Sequence, residues 1–294
     1  MIKNFLKKGI DVASRLFSAS QNQINSNSIE QIALSLHYKQ MYQNAPQSKV
    51  LAFKDVGFRT YSQHEEDGIL LYLFSLIGIT NKKCVEICAG NGIECNLANL
   101  IINHRWVGLL VDGQPDNISM ANEFYSRHPD TKYFPPATIC KWVTIKSVNE
   151  IIRSQGFEGQ IDLLSLDIDG IDYYLWKAIT CISPRVVVLE FNHLWGPNVA
   201  VTVPYADDFQ AEFTEYGSDY AGASLKAFIK LGKEKGYRLI GTNAIATNAF
   251  FLREDVSHDW FPEIDPATCF DHPRAQFGMK HRLPLVKDKL WIEV

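Results

Sequence analysis

Apolar and polar residues alternate along this chain on two scales. Four short runs are apolar almost throughout: Lys83–Cys88, Trp106–Asp112, Ile161–Asp167 and Arg185–Phe191. Runs of that length and character read as strands buried on both faces, the mark of a parallel sheet. Between them lie longer segments with helical spacing, predicted over Ile93–Asn103, Pro115–Arg127, Ile145–Gln155 and Asp172–Ile179. A short strand near Lys132–Ala137 and a helix over Ser224–Lys235 extend the series. Two last strands, Tyr237–Thr242 and Ala249–Leu252, are close enough to pair as an antiparallel hairpin. Upstream, Ser28–Gln31 and Ser62–Glu65 have capping-box character. They predict helices running to about Gln43 and over Ile69–Ile77, with an irregular stretch, Gln47–Thr60, between.

Strands alternating with helices predict an α/β fold: a Rossmann-like, doubly wound, mostly parallel sheet with a C-terminal antiparallel hairpin and an N-terminal helical extension. The expected division is residues 1–60 as the extension, 61–255 as the main domain and 256–294 as a tail packing on or near the active site. Ligands of such folds bind beyond the carboxyl ends of the strands. Those ends carry Glu86 and Cys88, Asp112, Asp167, and Glu190 with Asn192, nearly all polar.

Composition narrows the classes. The 294 residues are 46% hydrophobic and 21% charged, as in globular domains, and the net charge of −4 supplies no basic field for nucleic acid. Six cysteines without a CxxC pair read as reduced, mostly buried thiols of a cytoplasmic protein. No run approaches the roughly 18 apolar residues of a membrane span. The basic, amphipathic residues 1–18 are read as a helix packed on the body or on a second subunit of a homo-oligomer; contact with a membrane surface is the alternative.

The chemistry concentrates at the strand ends. Cys84–Gly92 (CVEICAGNG) is a strand leading into a glycine-bearing turn, and Asp112 ends the next strand, twenty residues after Gly92. Glycine lets backbone approach a ligand closely, and an acid at that spacing accepts ribose hydroxyls. The turn lacks G-x-G-x-x-G, and Glu86 would repel phosphate while engaging an ammonium. That favours S-adenosylmethionine (SAM) over a dinucleotide. Asp162, Asp167, Asp169 and Asp172 fall within eleven residues, where unpaired buried charge is costly.

VEICAGNG, GLLVDG, IDLLSLDIDG and VVVLEFN, in this order, resemble the motifs of SAM-dependent methyltransferases of class I, and more narrowly FkbM-type relatives found among glycan- and antibiotic-tailoring enzymes. The resemblance covers about residues 60–255. It implies that Glu86, Cys88, Gly90, Asn91 and Gly92 shape the methionine side of a cofactor pocket, with Cys88 replacing the usual first glycine. It further implies that Asp112 holds the ribose, that Gly113 and Gln114 lie beside the adenine, and that Thr138 edges it. LDIDGIDYYLW followed by LEFN loosely resembles the metal segments of catechol-type O-methyltransferases. That implies Asp167, Glu190 and Asn192 as ligands of Mg²⁺ or Mn²⁺, with Asp169 or His193 as base. A metal-free site whose carboxylates grip sugar hydroxyls is the alternative to the metal. Asp172 is also read as a helix cap. The function implied is methyl transfer to a hydroxyl of a small molecule or glycan; an adenosine-ligand-binding module or a dinucleotide-dependent oxidoreductase is the alternative.

Overall fold

The computed structural model describes residues 27–43, 50–257 and 259–294. The amphipathic segment 1–18 lies outside them. The chain forms two compact units, Met1–Ser48 and Lys49–Val294. In the first, helix α1 spans 27–43, close to the prediction. No helix among the described residues is long and apolar enough to cross a membrane.

The second unit begins with α2 (Phe53–Val56), one turn within the stretch expected to be irregular, and α3 (Glu66–Ile77). Then come β1 (Lys83–Ile87), α4 (Ala98–His104), β2 (Val107–Asp112), α5 (Pro115–Arg127) and β3 (Ala137–Cys140). They are followed by α6 (Val148–Ser154), β4 (Gly159–Leu166), α7 (Asp172–Ala178) and β5 (Ile182–Glu190). Short strands β6 (Val201–Thr202), β7 (Glu212–Thr214) and β8 (Gly217–Tyr220) precede α8 (Leu225–Lys235). The hairpin β9 (Tyr237–Thr242) and β10 (Asn248–Arg253) follows, then α9 (Pro273–Phe277), α10 (Leu283–Val286) and β11 (Ile292–Glu293).

The central sheet has seven strands in the order β3-β2-β1-β4-β5-β10-β9. β1 to β5 are parallel; β10 runs antiparallel to both β5 and β9. This is the doubly wound sheet with a terminal hairpin that the pattern predicts. Chain order reverses at β1, with β2 on one side and β4 on the other, so the switch point lies above the glycine turn. One face, with Val85, Ile87, Leu109, Val111, Val187 and Leu189, packs against Ile151, Trp176 and Phe228 of α6, α7 and α8. On the other face, Leu110 approaches Gly92 beside Tyr125 of α5, and Phe250 meets Phe53 of α2 edge-on at 5.3 Å. The segment that follows β10 joins the same body, its β11 pairing with β6.

Three predicted boundaries move for identifiable reasons. Helix α4 starts at Ala98 rather than Ile93, because the Glu86 carboxylate accepts the amides of Asn96 (3.1 Å) and Leu97 (3.0 Å) and draws the preceding loop inward. β3 occupies Ala137–Cys140 rather than Lys132–Ala137, because its register on β2 runs Leu109 to Ala137 through Asp112 to Cys140. The Ser62–Glu65 box is not formed. Ser62 Oγ accepts the amide of Asp67, and Asp67 in turn accepts the amides of Thr60, Tyr61 and Ser62. Ser224 does cap α8, accepting the Ala227 amide.

Candidate functional site

The rim above the strand carboxyl ends divides into two parts. On the β1–β2 side the polar side chains are turned inward to organise the loops. Glu86, 3% exposed, accepts Asn96 N, Leu97 N and Ser165 Oγ; Ser165 is its register partner on β4. Burial pushes its carboxyl above the usual range. Asp112, 4% exposed, accepts Gly90 N at 3.0 Å on one oxygen, and Gln114 N and Asn117 Nδ2 on the other. Asn91 Oδ1 closes the next turn by accepting Ile93 N and Glu94 N.

The turn itself needs unusual backbone. Cys88, Gly90 and Gly92 all have positive φ: 66°, 55° and 67°. Cys88 therefore follows the backbone path a glycine would take, at the cost a Cβ carries in the left-handed region. Gly92 is packed against Ala121 and Leu110, whereas a Cβ at Gly90 would meet nothing within 4 Å. Gly90 thus offers bare backbone at the switch point.

Thr138 sits two residues before the end of β3 and donates to Asn122 of α5 at 2.8 Å. It lies below the strand end and not at the rim where the resemblance placed it; Cys140 is the register partner of Asp112. Beyond it stands Trp142, which the sequence reading missed. Its ring covers Gly113, where a Cβ would meet Trp142 Cε3 at 2.9 Å, and its Nε1 donates to Asp207 O at 2.7 Å. Gln114 is exposed at the start of α5.

On the β4–β5 side the carboxylates face one another. Asp167, one residue past β4, is hydrogen-bonded to Glu190, the last residue of β5. Loss of solvent raises Asp167 to about 6 and Glu190 well above its ordinary value, with neighbouring acids adding to both. Two adjacent carboxyls in such a place share a proton rather than both ionise. Asp169 has φ of 51°, is exposed and accepts Ser218 Oγ at 3.1 Å. Asp172 does not cap its helix; Ile171 holds that position. Its buried carboxylate instead accepts Ile168 N and Gly170 N, which pins the turn after Asp167. Burial raises it to about 7. Asp162, at the opposite end of β4, is a structural anchor. It binds Arg185 and accepts the amides of Thr80, Asn81 and Lys82.

The expected metal set does not assemble. The Asn192 amide donates to Asp219 O and Ala221 O, and its oxygen accepts Leu194 N. Asn192 does not join Glu190, because β5 ends at Glu190 and the chain turns into a 3₁₀ segment that Asn192 caps. Asp167 and Glu190 bond to each other, and no group of three or more His, Cys, Asp or Glu among the described residues is arranged to hold a metal ion. These residues do not fit the divalent cation. His193 is not suited to be the base either. It is buried, its Nε2 has no partner among the described residues, and its ring lies against the bare α-carbon of Gly278. Burial, then Arg274 and Arg282, lower it to about 3.

A strap covers this half of the rim. Tyr205 and Asp207 hydrogen-bond to each other, Tyr205 OH accepts the Ile145 amide, and Phe209 packs on Gly170. Under the adjoining β8 lies a cavity of about 60 Å³. Glu190, Asn192, His193 and Ser218 line it together with Arg274 and Arg282 from the C-terminal segment. Neither arginine had a signal in the sequence, because each is brought there from roughly eighty to ninety residues downstream of β5.

No protein-family model matches the chain, and no curated protein matches it. Solved structures do. A magnesium protoporphyrin IX methyltransferase from Synechocystis PCC 6803 with bound SAM is 11% identical over 64% of this chain and 77% of its own, with a TM-score of 0.40. A glycopeptide N-methyltransferase complexed with sinefungin is 8% identical over 61% of this chain and 82% of its own, TM-score 0.39. An O-methyltransferase family protein from Burkholderia thailandensis is 13% identical over 77% of this chain and 71% of its own, TM-score 0.38. These are partial likenesses of shape at low identity, and the site assignments above rest on this chain's own geometry.

Proposed function

We propose that this chain is a SAM-dependent methyltransferase that acts on a hydroxyl of a sugar-like small molecule or glycan. One observation carries the reading. At a single switch-point rim, an open glycine turn tied to a strand-end aspartate (Gly90 N to Asp112, 3.0 Å) stands next to a proton-sharing carboxyl pair, Asp167 and Glu190. The sequence motifs support the same reading, since the four that resemble class I methyltransferases are the four that end β1, β2, β4 and β5.

Bound SAM supplies an electrophilic methyl group on a sulfonium. The protein's part is placement and proton handling. Gly90 lets backbone come close to the cofactor, and the remaining lone pair of Asp112, on Oδ2, accepts a ribose hydroxyl. Trp142, standing over Gly113, provides an aromatic wall for the base. In the Asp167–Glu190 pair, burial raises both carboxyls, Asp167 to about 6, and their proximity favours sharing one proton over carrying two charges. That raised basicity equips the pair to take the hydroxyl proton as the acceptor oxygen bonds to the methyl carbon and the carbon–sulfur bond breaks. No step needs a metal, and none is routed through His193.

Calorimetric titration with S-adenosylhomocysteine tests the reading, with Asp112→Ala as control. Saturable binding that the substitution weakens about a hundredfold or more is expected, since the change removes the acid that organises both turns. Absence of binding by the unmodified protein would reject the proposal and turn attention to nucleotides.

A further inference from the structure

The cavity beneath β8 contains two cations in unequal circumstances. Arg282 is 9% exposed and committed: its Nε and Nη2 both donate to Asp219, whose other oxygen accepts Thr214 Oγ1. Arg274, on α9, has no ion pair or side-chain hydrogen bond among the described residues, although it lines the same cavity as Glu190 and Ser218. Arg282 repels it and Glu190 attracts it without forming an ion pair. A guanidinium offers five donors in a planar fork matched to oxyanions. Arg274 is exposed on its outer side, so water solvates part of its charge, and its planar fork is free to take an oxyanion that enters the cavity.

The cavity, of about 60 Å³, has room for several waters, since one needs about 10–15 Å³ on this measure. A carboxylate or a phosphate group fits that scale. The cavity adjoins Glu190, one half of the proton-accepting pair. A ligand anchored there by a charged group therefore presents its adjacent hydroxyl to the pair. We infer that Arg274 anchors the acceptor through an oxyanion, so that the molecule methylated is an acid, a uronate-like sugar or a phosphate ester, and not a neutral sugar. The inference rests on the methyl-transfer reading for what happens to the hydroxyl, but the oxyanion site stands on its own geometry.

The test is ligand-observed NMR and calorimetry with D-glucuronate, D-glucose and inorganic phosphate, with and without S-adenosylhomocysteine. The proteins compared are the unmodified chain, Arg274→Gln and Arg274→Lys. Glucuronate is expected to bind and glucose not. Arg274→Gln should weaken oxyanion binding at least tenfold, in line with a charge-assisted bidentate contact, and Arg274→Lys should fall between. Phosphate binding without glucuronate binding would keep the anchor and identify the source as a phosphate ester. Equal binding of glucose and glucuronate, no binding of either oxyanion, or an Arg274→Gln protein that binds like the original would overturn the inference. The side chain has no internal partner, so Arg274→Gln is expected to melt like the parent, which separates lost anchoring from lost folding. Failure of S-adenosylhomocysteine to bind would count against the methyl-transfer reading while the oxyanion titrations still decide the anchor.

Discussion

The two halves of the rim treat their acids in opposite ways. On the β1–β2 side, Glu86 and Asp112 give their oxygens to backbone amides and a few side-chain donors, and each acid holds a loop in place. On the β4–β5 side, Asp167 and Glu190 spend their hydrogen bond on each other, and Arg274 opposite them has no partner among the described residues. The first half is a preorganised cradle whose charges are already compensated. The second keeps charge uncompensated, which is where proton transfer and anion capture are chemically useful. Buried like charges cost stability, so the contrast also separates where this fold is robust from where it is stressed.

Asp167→Asn attacks the stressed half and should have the largest effect. Methyl transfer to hydroxyl acceptors, followed by release of S-adenosylhomocysteine, is expected to drop about 10²–10⁴-fold. Binding of S-adenosylhomocysteine should stay within about twofold, because Asp167 organises none of the cofactor turns. If transfer persists at the original rate, Asp167 is not part of the base.

The pair also dictates a pH profile. With Asp167 at about 6, transfer should rise as pH increases through about 6, where the pair passes from neutral to singly charged. A rate independent of pH between 5 and 8 would contradict the shared-proton arrangement.

Stability should run the other way. Asp67 and Asp167 are raised to about 6 and Asp172 to about 7, all mainly by burial. Between pH 4 and 7 these carboxyls, with Glu86 and Glu190, bind more protons in the folded than in the unfolded state and make stability fall as pH rises; His104 and His193, lowered by burial to about 4 and 3, act with the opposite sign up to about pH 6.5 but are outnumbered. Asp162, held below its ordinary value, acts with the opposite sign, and only at lower pH. The melting temperature should be higher at pH 5 than at pH 8; an unchanged or rising value would refute this.

The smallest effect belongs to the cradle. Cys88→Gly should stabilise the protein by about 1 kcal/mol, since φ of 66° is unfavourable for any residue with a Cβ. For a domain of this size that is about 2–4 °C in melting temperature. A lower melting temperature would mean that the thiol's packing outweighs the strain.

Helix α5 shows what was legible in the chain. Pro115 at its start and Arg127 at its end bound it as predicted, because both signals are local. The parallel core strands were equally plain, being uniformly apolar. β3 starts five residues later and ends three later than predicted, because its position is decided by register on β2, not by its own composition. At the site, Asp112 and Asp167 were legible as charges ending apolar strands. Asn192, a ligand by resemblance, lies past the end of β5, where it caps the 3₁₀ segment instead. Trp142 and Arg274 carried no signal at all.

By itself, the sequence determined the alternation of strands and helices, the glycine turn and the acids at the strand ends, because each depends on residues within a few positions of one another. Tertiary structure alone decided which acids were neutralised by loop amides and which were left facing each other. It also brought Arg274 to Glu190 and let His193 pack on Gly278. The state of a charge depends on desolvation and on partners met across the fold, and neither quantity exists until the chain has closed on itself.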